Sequence, residues 1–252
     1  MSIIISTILA AILAIWTHAR PAISGSSSSS SSSGSSGTYS VYATPHASYS
    51  SSIGVPGCKV NTDRIAYWPA PVSCDDICVS LRHAGRELLL LRVDQSSGAH
   101  DISFDAFNFL LTGHPATERP VASGPVAMQA RDVPADWCAG LLRTGGRGLP
   151  LSAANSINFL ASCLAAPNGS WVADNHVLYN ICDPLCTLGR DEVCSLEWPA
   201  QNQPACPHTL GLLTPLKGDP VWDIAYPSGE RVLAGSAPIA PPSTGTLMSR
   251  TF

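Results

Sequence analysis

The residues of this chain whose types and spacing could do chemistry fall between Tyr67 and Asp101. Asp94 closes an apolar stretch, and Asp101 follows a polar loop that runs Asp94-Gln95-Ser96-Ser97-Gly98. A carboxyl group at either position could give or take a proton. His100 directly precedes Asp101. In extended backbone their side chains leave opposite faces, which separates them as an acid–base pair. Tyr67 and Trp68 sit on a short apolar segment, Arg64 to Trp68, ended by Pro69 and Pro71. On a strand one ring faces inward and the other outward, and an outward ring beside a groove could stack on a sugar. Each residue also has a plain structural reading. Asp101 could bond backbone amides ahead of a helix, Asp94 could hold its loop, and His100 and His114 could be loop histidines. Tyr67 and Trp68 could both be core.

Other chemistries lack their residues. There is no Gly-x-Ser-x-Gly, phosphate-binding glycine loop or His-Glu-x-x-His. With 14 Lys+Arg against 18 Asp+Glu, the net charge is -4, so nothing argues for a nucleic-acid partner. No cofactor is expected.

The elements that must position these residues follow from patterning. Arg64 to Trp68, Cys78 to Leu81 and Arg86 to Val93 read as strands, with a turn at His83-Ala84-Gly85. The four leucines 88–91 suit a strand buried on both sides or closing a barrel. Ser103 is placed to cap a helix from Phe104 to Leu111, and Gly113 to end it. Pro125 to Arg131 is a further strand, with Trp137-Cys138 expected to be buried nearby. Beyond Gly145-Gly146, Ser152 precedes a helical stripe of Ala153, Ile157, Leu160, Ala161 and Leu164. Val177, Tyr179 and Ile181 alternate as in a strand, and Val221 to Tyr226 with Arg231 to Ala234 make a hairpin.

The N-terminus carries addressing information. Ile3 to Trp16 is an uncharged apolar run of 14 residues, short of the roughly 20 that span a bilayer. With Thr17-His18-Ala19 after it, residues 1–19 read as a secretory signal peptide, and no membrane association is expected once it is removed. Residues 20–54, with serine unbroken from Ser26 to Ser33, read as a disordered linker. Residues 236–252 read as a disordered tail. The expected localisation is extracellular or in a cell wall.

Nine cysteines follow: Cys58, Cys74, Cys78, Cys138, Cys163, Cys182, Cys186, Cys194 and Cys206. In a secreted chain they read as a disulfide framework, with an odd one left free or available for a disulfide-linked dimer. Cys74-x3-Cys78 and Cys182-x3-Cys186 have spacings a zinc ion could use, but the compartment favours disulfides, and no metal site is expected. Asn168-Gly169-Ser170 is a glycosylation sequon.

The order strand, turn, strand ending in Arg92-Val93-Asp94, polar loop, then Asp101-Ile102-Ser103-Phe104-Asp105-Ala106-Phe107 resembles the double-psi β-barrel. Expansins, barwin-like proteins, bacterial rare-lipoprotein-A-like proteins and some fungal endoglucanases share that fold. The resemblance covers roughly residues 56–143, and the region 55–235 also resembles a group of secreted fungal proteins of unassigned function. It implies a mainly β chain: a six-stranded double-psi barrel over 55–145 with short helices, and a Cys-rich extension over 146–235 packed on it. It implies Asp101 as the general acid, and a groove lined by Asp94, His100 and one of Tyr67 or Trp68. Three departures stand out. His100 lies next to the acid, the expansin β-sandwich domain has no counterpart, and Tyr67-Trp68-Pro69 puts proline where the endoglucanases carry the catalytic base. Asp63 or Asp94 could substitute, but neither matches that position.

The expectation is therefore a secreted, non-hydrolytic, wall-associated protein that binds polysaccharide in a barrel groove. The alternatives are a glycoside hydrolase or lytic transglycosylase using Asp101, and an effector or protease inhibitor that binds a protein.

Overall fold

The computed structural model describes residues 37–236. The readings for residues 1–19, for the serine run and for 237–252 lie outside the described residues. The chain is mainly β. Six strands close a barrel: β1 (Tyr39–His46), β2 (Ile65–Trp68), β3 (Cys78–His83), β4 (Arg86–Gln95), β5 (His100–Ser103) and β6 (Val126–Val133). Their order around the barrel is β1-β5-β2-β4-β3-β6. β1 with β5 and β2 with β4 are parallel, and the other neighbours are antiparallel.

β1 corrects the linker reading. Residues 39–46 close the barrel between β5 and β6, and Tyr49, Ile53 and Val55 after them are buried. The strand's period-2 signal is short: Val41 and Ala43 point in, while Ser40 and Tyr42 stay exposed.

Alternation divides the barrel residues between two cores. Val41, Ala43, Ala66, Trp68, Val79, Leu81, Leu90, Ile102, Met128 and Ala130 form one cluster with α1 (Phe104–Thr112). The alternate positions Ile65, Tyr67, Cys78, Leu91, Val93 and Val133 belong to a second cluster. That cluster includes β7 (Leu149–Ser152), α2 (Ile157–Leu164) and β8 (His176–Ile181) through Leu149, Leu151, Leu160, Leu178 and Ile181. β7 and β8 pair in parallel, and β9 (Gly189–Cys194) adds antiparallel to β8. A four-residue helix, α3 (Trp171–Asp174), precedes β8, and a separate hairpin is formed by β10 (Trp222–Ile224) and β11 (Arg231–Leu233).

Four disulfides join Cys58–Cys186, Cys74–Cys163, Cys78–Cys138 and Cys194–Cys206. The first two span 128 and 89 residues and tie the barrel half to the second half. Loops of that length remove roughly 4–5 kcal/mol each of unfolded-state entropy. Cys182 is the free thiol.

Local expectations fare unevenly. Gly113 ends α1 with φ 79°, its N–H bonded to Phe109 O. Ser103 precedes α1 but makes no cap bond; its hydroxyl accepts the Ile65 amide at 3.2 Å instead. Ser152 lies in β7, and Ser156 takes the position before α2. Trp137 is 52% exposed, a correction to the expected burial, with the Arg131 guanidinium 5.6 Å from its ring centre.

Candidate functional site

The groove expected from sequence is filled. Tyr67 faces out of the barrel as alternation requires, yet it is buried, because residues 47–54 cross over it. Its hydroxyl donates to Ser48 O at 3.3 Å. Asp94 holds the same strap: its carboxylate accepts the Ser50 hydroxyl at 2.5 Å and the Ser52 amide at 2.9 Å. It also accepts its neighbour Gln95 N at 2.8 Å. Asp94 therefore takes the structural role, and Tyr67 offers no face to a sugar.

Trp68 points into the barrel with the inner core and is buried, so it cannot line an outer groove. The His100 ring packs edge-on against it at 5.0 Å. Burial, then the Arg92 charge, lowers the His100 pKa, against the opposing pull of Asp101. Asp101 sits opposite Tyr67 on β5 and accepts a short hydrogen bond from Thr44 Oγ1 on β1. Asp101 and His100 are thus engaged by different partners, in keeping with their opposite directions. Asn168 is exposed in the turn before α3.

The open site lies elsewhere. A cleft of about 610 Å³ is bounded by Thr62 and Asp63, by Asp105 at the start of α1, by the 115–117 loop, by Arg143, and by 219–224 with Arg231. Thr62 and Asp63 lie on a single 3-10 turn over Thr62–Arg64, which leads into β2. Its N-cap Asn61 accepts Asp63 N. Asp105 is a buried acid on α1, one turn before the buried Asn108. Both its oxygens are used: Oδ2 accepts from Arg64 Nη1 at 2.8 Å and Oδ1 from Ala116 N at 2.7 Å.

Asp63 differs. Burial pushes its carboxyl up and Asp105 adds to the effect, against the pull of Arg64, Arg231 and Arg143. Asp223 is also pushed up by burial, opposed by the Tyr49 amide that it accepts at 2.9 Å and by His46, with Asp63 again raising it. A gap of about 10 Å³, near the size of one water, is lined by His46, Tyr67, Asp63, Asp105, Trp222 and Asp223.

Trp222 is the aromatic of the cleft, 37% exposed, with the Arg231 guanidinium 4.7 Å from its ring centre. The hairpin that carries it is fixed. Tyr226 packs edge-on to Phe104 at 5.0 Å and exchanges hydrogen bonds with the backbone of Ser123. At Gly229, φ is +74° and a Cβ would meet Ala116 O at 2.2 Å, so the hairpin tip can seat only with glycine there.

Sequence reasoning named Asp63 alone among these residues, as a substitute base. Asp105 had a legible signal, a carboxylate between Phe104 and Ala106 on an apolar stripe. Arg143, Trp222 and Arg231 had none, because the chain brings them together only by folding. No group of three or more His, Cys, Asp or Glu that could hold a metal occurs among the described residues. Cys74, Cys78 and Cys186, weighed above as zinc ligands, are in disulfides. No helix among the described residues is long and apolar enough to cross a membrane.

Comparison with protein-family models, with curated proteins and with solved structures gave no match.

Proposed function

We propose that this is a secreted, wall-associated protein that binds polysaccharide without cleaving it, and that the cleft beside Trp222 is the binding site. One observation carries the reading. A cleft of about 610 Å³ places a partly exposed tryptophan among Thr62, Asp63, Asp219, Arg143 and Arg231. A ring face for a sugar with hydrogen-bonding groups around it is what carbohydrate recognition requires. This moves the glycan site away from the expected groove of Asp94, Asp101, His100, Tyr67 and Trp68. The double-psi form of the barrel belongs to the same proposal. It is supported by the two parallel pairs, β1–β5 and β2–β4, in a closed six-stranded barrel. Secretion is supported by the four disulfides, which persist in oxidising compartments.

A non-cleaving role is supported by the acids. Asp101 is bonded to Thr44, Asp105 has both oxygens engaged, and proline stands at position 69. The test is co-sedimentation and affinity electrophoresis on chitin, β-glucan, cellulose, mannan and pectic polymers, with reducing-end release measured alongside. Binding that falls at least about ten-fold in Trp222→Ala, with no release, supports the reading. No binding to any polymer, or binding indifferent to Trp222→Ala, overturns it.

One observation favours a second reading, hydrolysis. Asp63 is a carboxyl raised by burial at the edge of an open cleft, the condition of a general acid. Sugar release lost in Asp63→Asn and kept in Asp101→Asn would support it.

A further inference from the structure

The two arginines at the cleft are unusual for what they lack. Asp105 is matched to Arg64 at 2.8 Å, and Lys59 to Asp191 at 2.6 Å. Among the described residues, Arg143 and Arg231 make no ion pair. Arg231 stacks on Trp222, and the Arg143 backbone N–H bonds Lys59 O. Both side chains are exposed and line the same cleft as Trp222. A guanidinium presents a planar fork of donors that matches a carboxylate with two parallel hydrogen bonds. Two such forks beside an indole face describe a site for a sugar ring that carries a carboxylate.

We infer that the cleft selects uronate-containing polysaccharide, with Arg143 and Arg231 binding the sugar carboxylate and Trp222 the ring. This rests on the glycan reading above and adds the chemical class of the sugar.

The acids of the cleft set how this binding responds to pH. Asp63 faces Arg64 on its own turn, Asp105 on α1, Arg143, Arg231 on β11 and Asp223 on β10. Asp219 lines the same space, and His46 acts on Asp223. With Asp105 bound by Arg64, the ionised Asp63 and the exposed Asp219 are the cleft carboxylates that oppose a uronate, and of the two Asp63 has the raised carboxyl. Because its carboxyl is raised, Asp63 takes up its proton at a higher pH than a uronate of ordinary pKa does. Binding therefore strengthens as pH falls from neutral, then weakens below about 3.5, where a sugar carboxyl itself protonates. Salt weakens it, since the partners are exposed charges.

The experiment uses the full chain with polygalacturonate, its methyl-esterified form and a sulfated galactan, by calorimetry at several pH values and salt concentrations. Polygalacturonate is expected to bind at least about ten-fold tighter than the methyl ester. Arg143→Gln and Arg231→Gln each lose about ten-fold on polygalacturonate and little on the ester. Asp63→Asn binds polygalacturonate more tightly at neutral pH and flattens the pH response. Equal, Trp222-dependent binding of acid and ester overturns the inference and leaves the glycan reading standing. Binding of the sulfated galactan as tight as that of polygalacturonate overturns the carboxylate assignment. No binding of any glycan ends both.

Discussion

Arg64 Nη1 donates to Asp105 Oδ2 at 2.8 Å and so joins the turn before β2 to the first turn of α1, beneath the cleft. The Asp105 side chain is 9% exposed and that of Arg64 is 20% exposed. Removing one partner of such a pair strands the other charge. Asp105→Ala should therefore lose about 3 kcal/mol, toward the low end for a buried pair because Arg64 keeps some water. It also leaves Ala116 N without its acceptor. Urea denaturation with the disulfides intact measures this. A loss below about 1 kcal/mol would mean that the pair does not hold α1 to the barrel.

Asp94→Ala should free the strap. It deletes the acceptor of the Ser50 hydroxyl and the Ser52 amide, so residues 47–54 lose their main polar anchor to β4. Ser51 Oγ still donates to Val93 O, and the buried Tyr49, Ile53 and Val55 still anchor the segment. The expected result is faster amide exchange over 47–54, with the barrel strands β3, β4 and β6 unchanged. Protection equal to wild type would refute the strap role of Asp94.

Strands β2, β3, β4 and β6 were legible because each is a local signal, such as the four leucines on β4, and so were the glycine after α1 and the Pro-Ser-Gly turn of the hairpin; β5, four residues between a polar loop and α1, was not. Nor was β1. It follows a serine run, offers Val41, Ala43 and the half-buried Tyr39 to the inner core, and gains its meaning from Gln129 and His100, far along the chain. The same cause misplaced the site. The strap makes Tyr67 interior, and nothing in Ser48-Tyr49-Ser50-Ser51-Ser52 announces that it will lie over β2. The cleft draws on positions 62–63, 105, 143, 219–222, 224 and 231, and no spacing rule joins them. Asp101 lies on β5 opposite Tyr67, a strand the sequence did not announce, and the Thr44 that engages it belongs to the equally unannounced β1.

Free-thiol titration should find one reactive cysteine per native chain. The four disulfides account for the rest, and Cys182 is partly exposed with Sγ 3.8 Å from Leu212 O. Burial and then Asp183 push its thiol up, so labelling near neutral pH should be slower than for a free cysteine and should accelerate as pH rises. If the protein forms a disulfide-linked dimer, Cys182→Ser should abolish it and leave the thermal midpoint within about 2 °C. Two or more labelled thiols before reduction would contradict the pairing.

The raised carboxyls of Asp63 and Asp223 make a stability prediction with a definite sign. Each holds its proton to higher pH in the folded chain than in the unfolded one. Over the window between the ordinary carboxylate value and the raised one, the folded state binds more protons, so stability rises as pH falls through it. Ionisation of these groups at neutral pH therefore costs the fold some stability. His100 acts in the other direction. Its lowered pKa means that the unfolded state takes the proton first, so stability falls as pH drops through the ordinary histidine range. The variants separate the two. Asp63→Asn should be more stable than wild type near pH 7, and the difference should shrink as pH falls through the raised carboxyl range, where the wild-type group takes up its own proton. Asp223→Asn should behave likewise, because an amide oxygen can still accept the Tyr49 N–H. His100→Gln should flatten the slope between about pH 7 and 5.5 without changing that difference. Urea midpoints for the four proteins at pH 4, 5.5 and 7 decide it. An Asp63→Asn advantage that grows on acidification would reverse the sign and show that the carboxylate is stabilised by Arg64, Arg143 and Arg231 more than burial disfavours it.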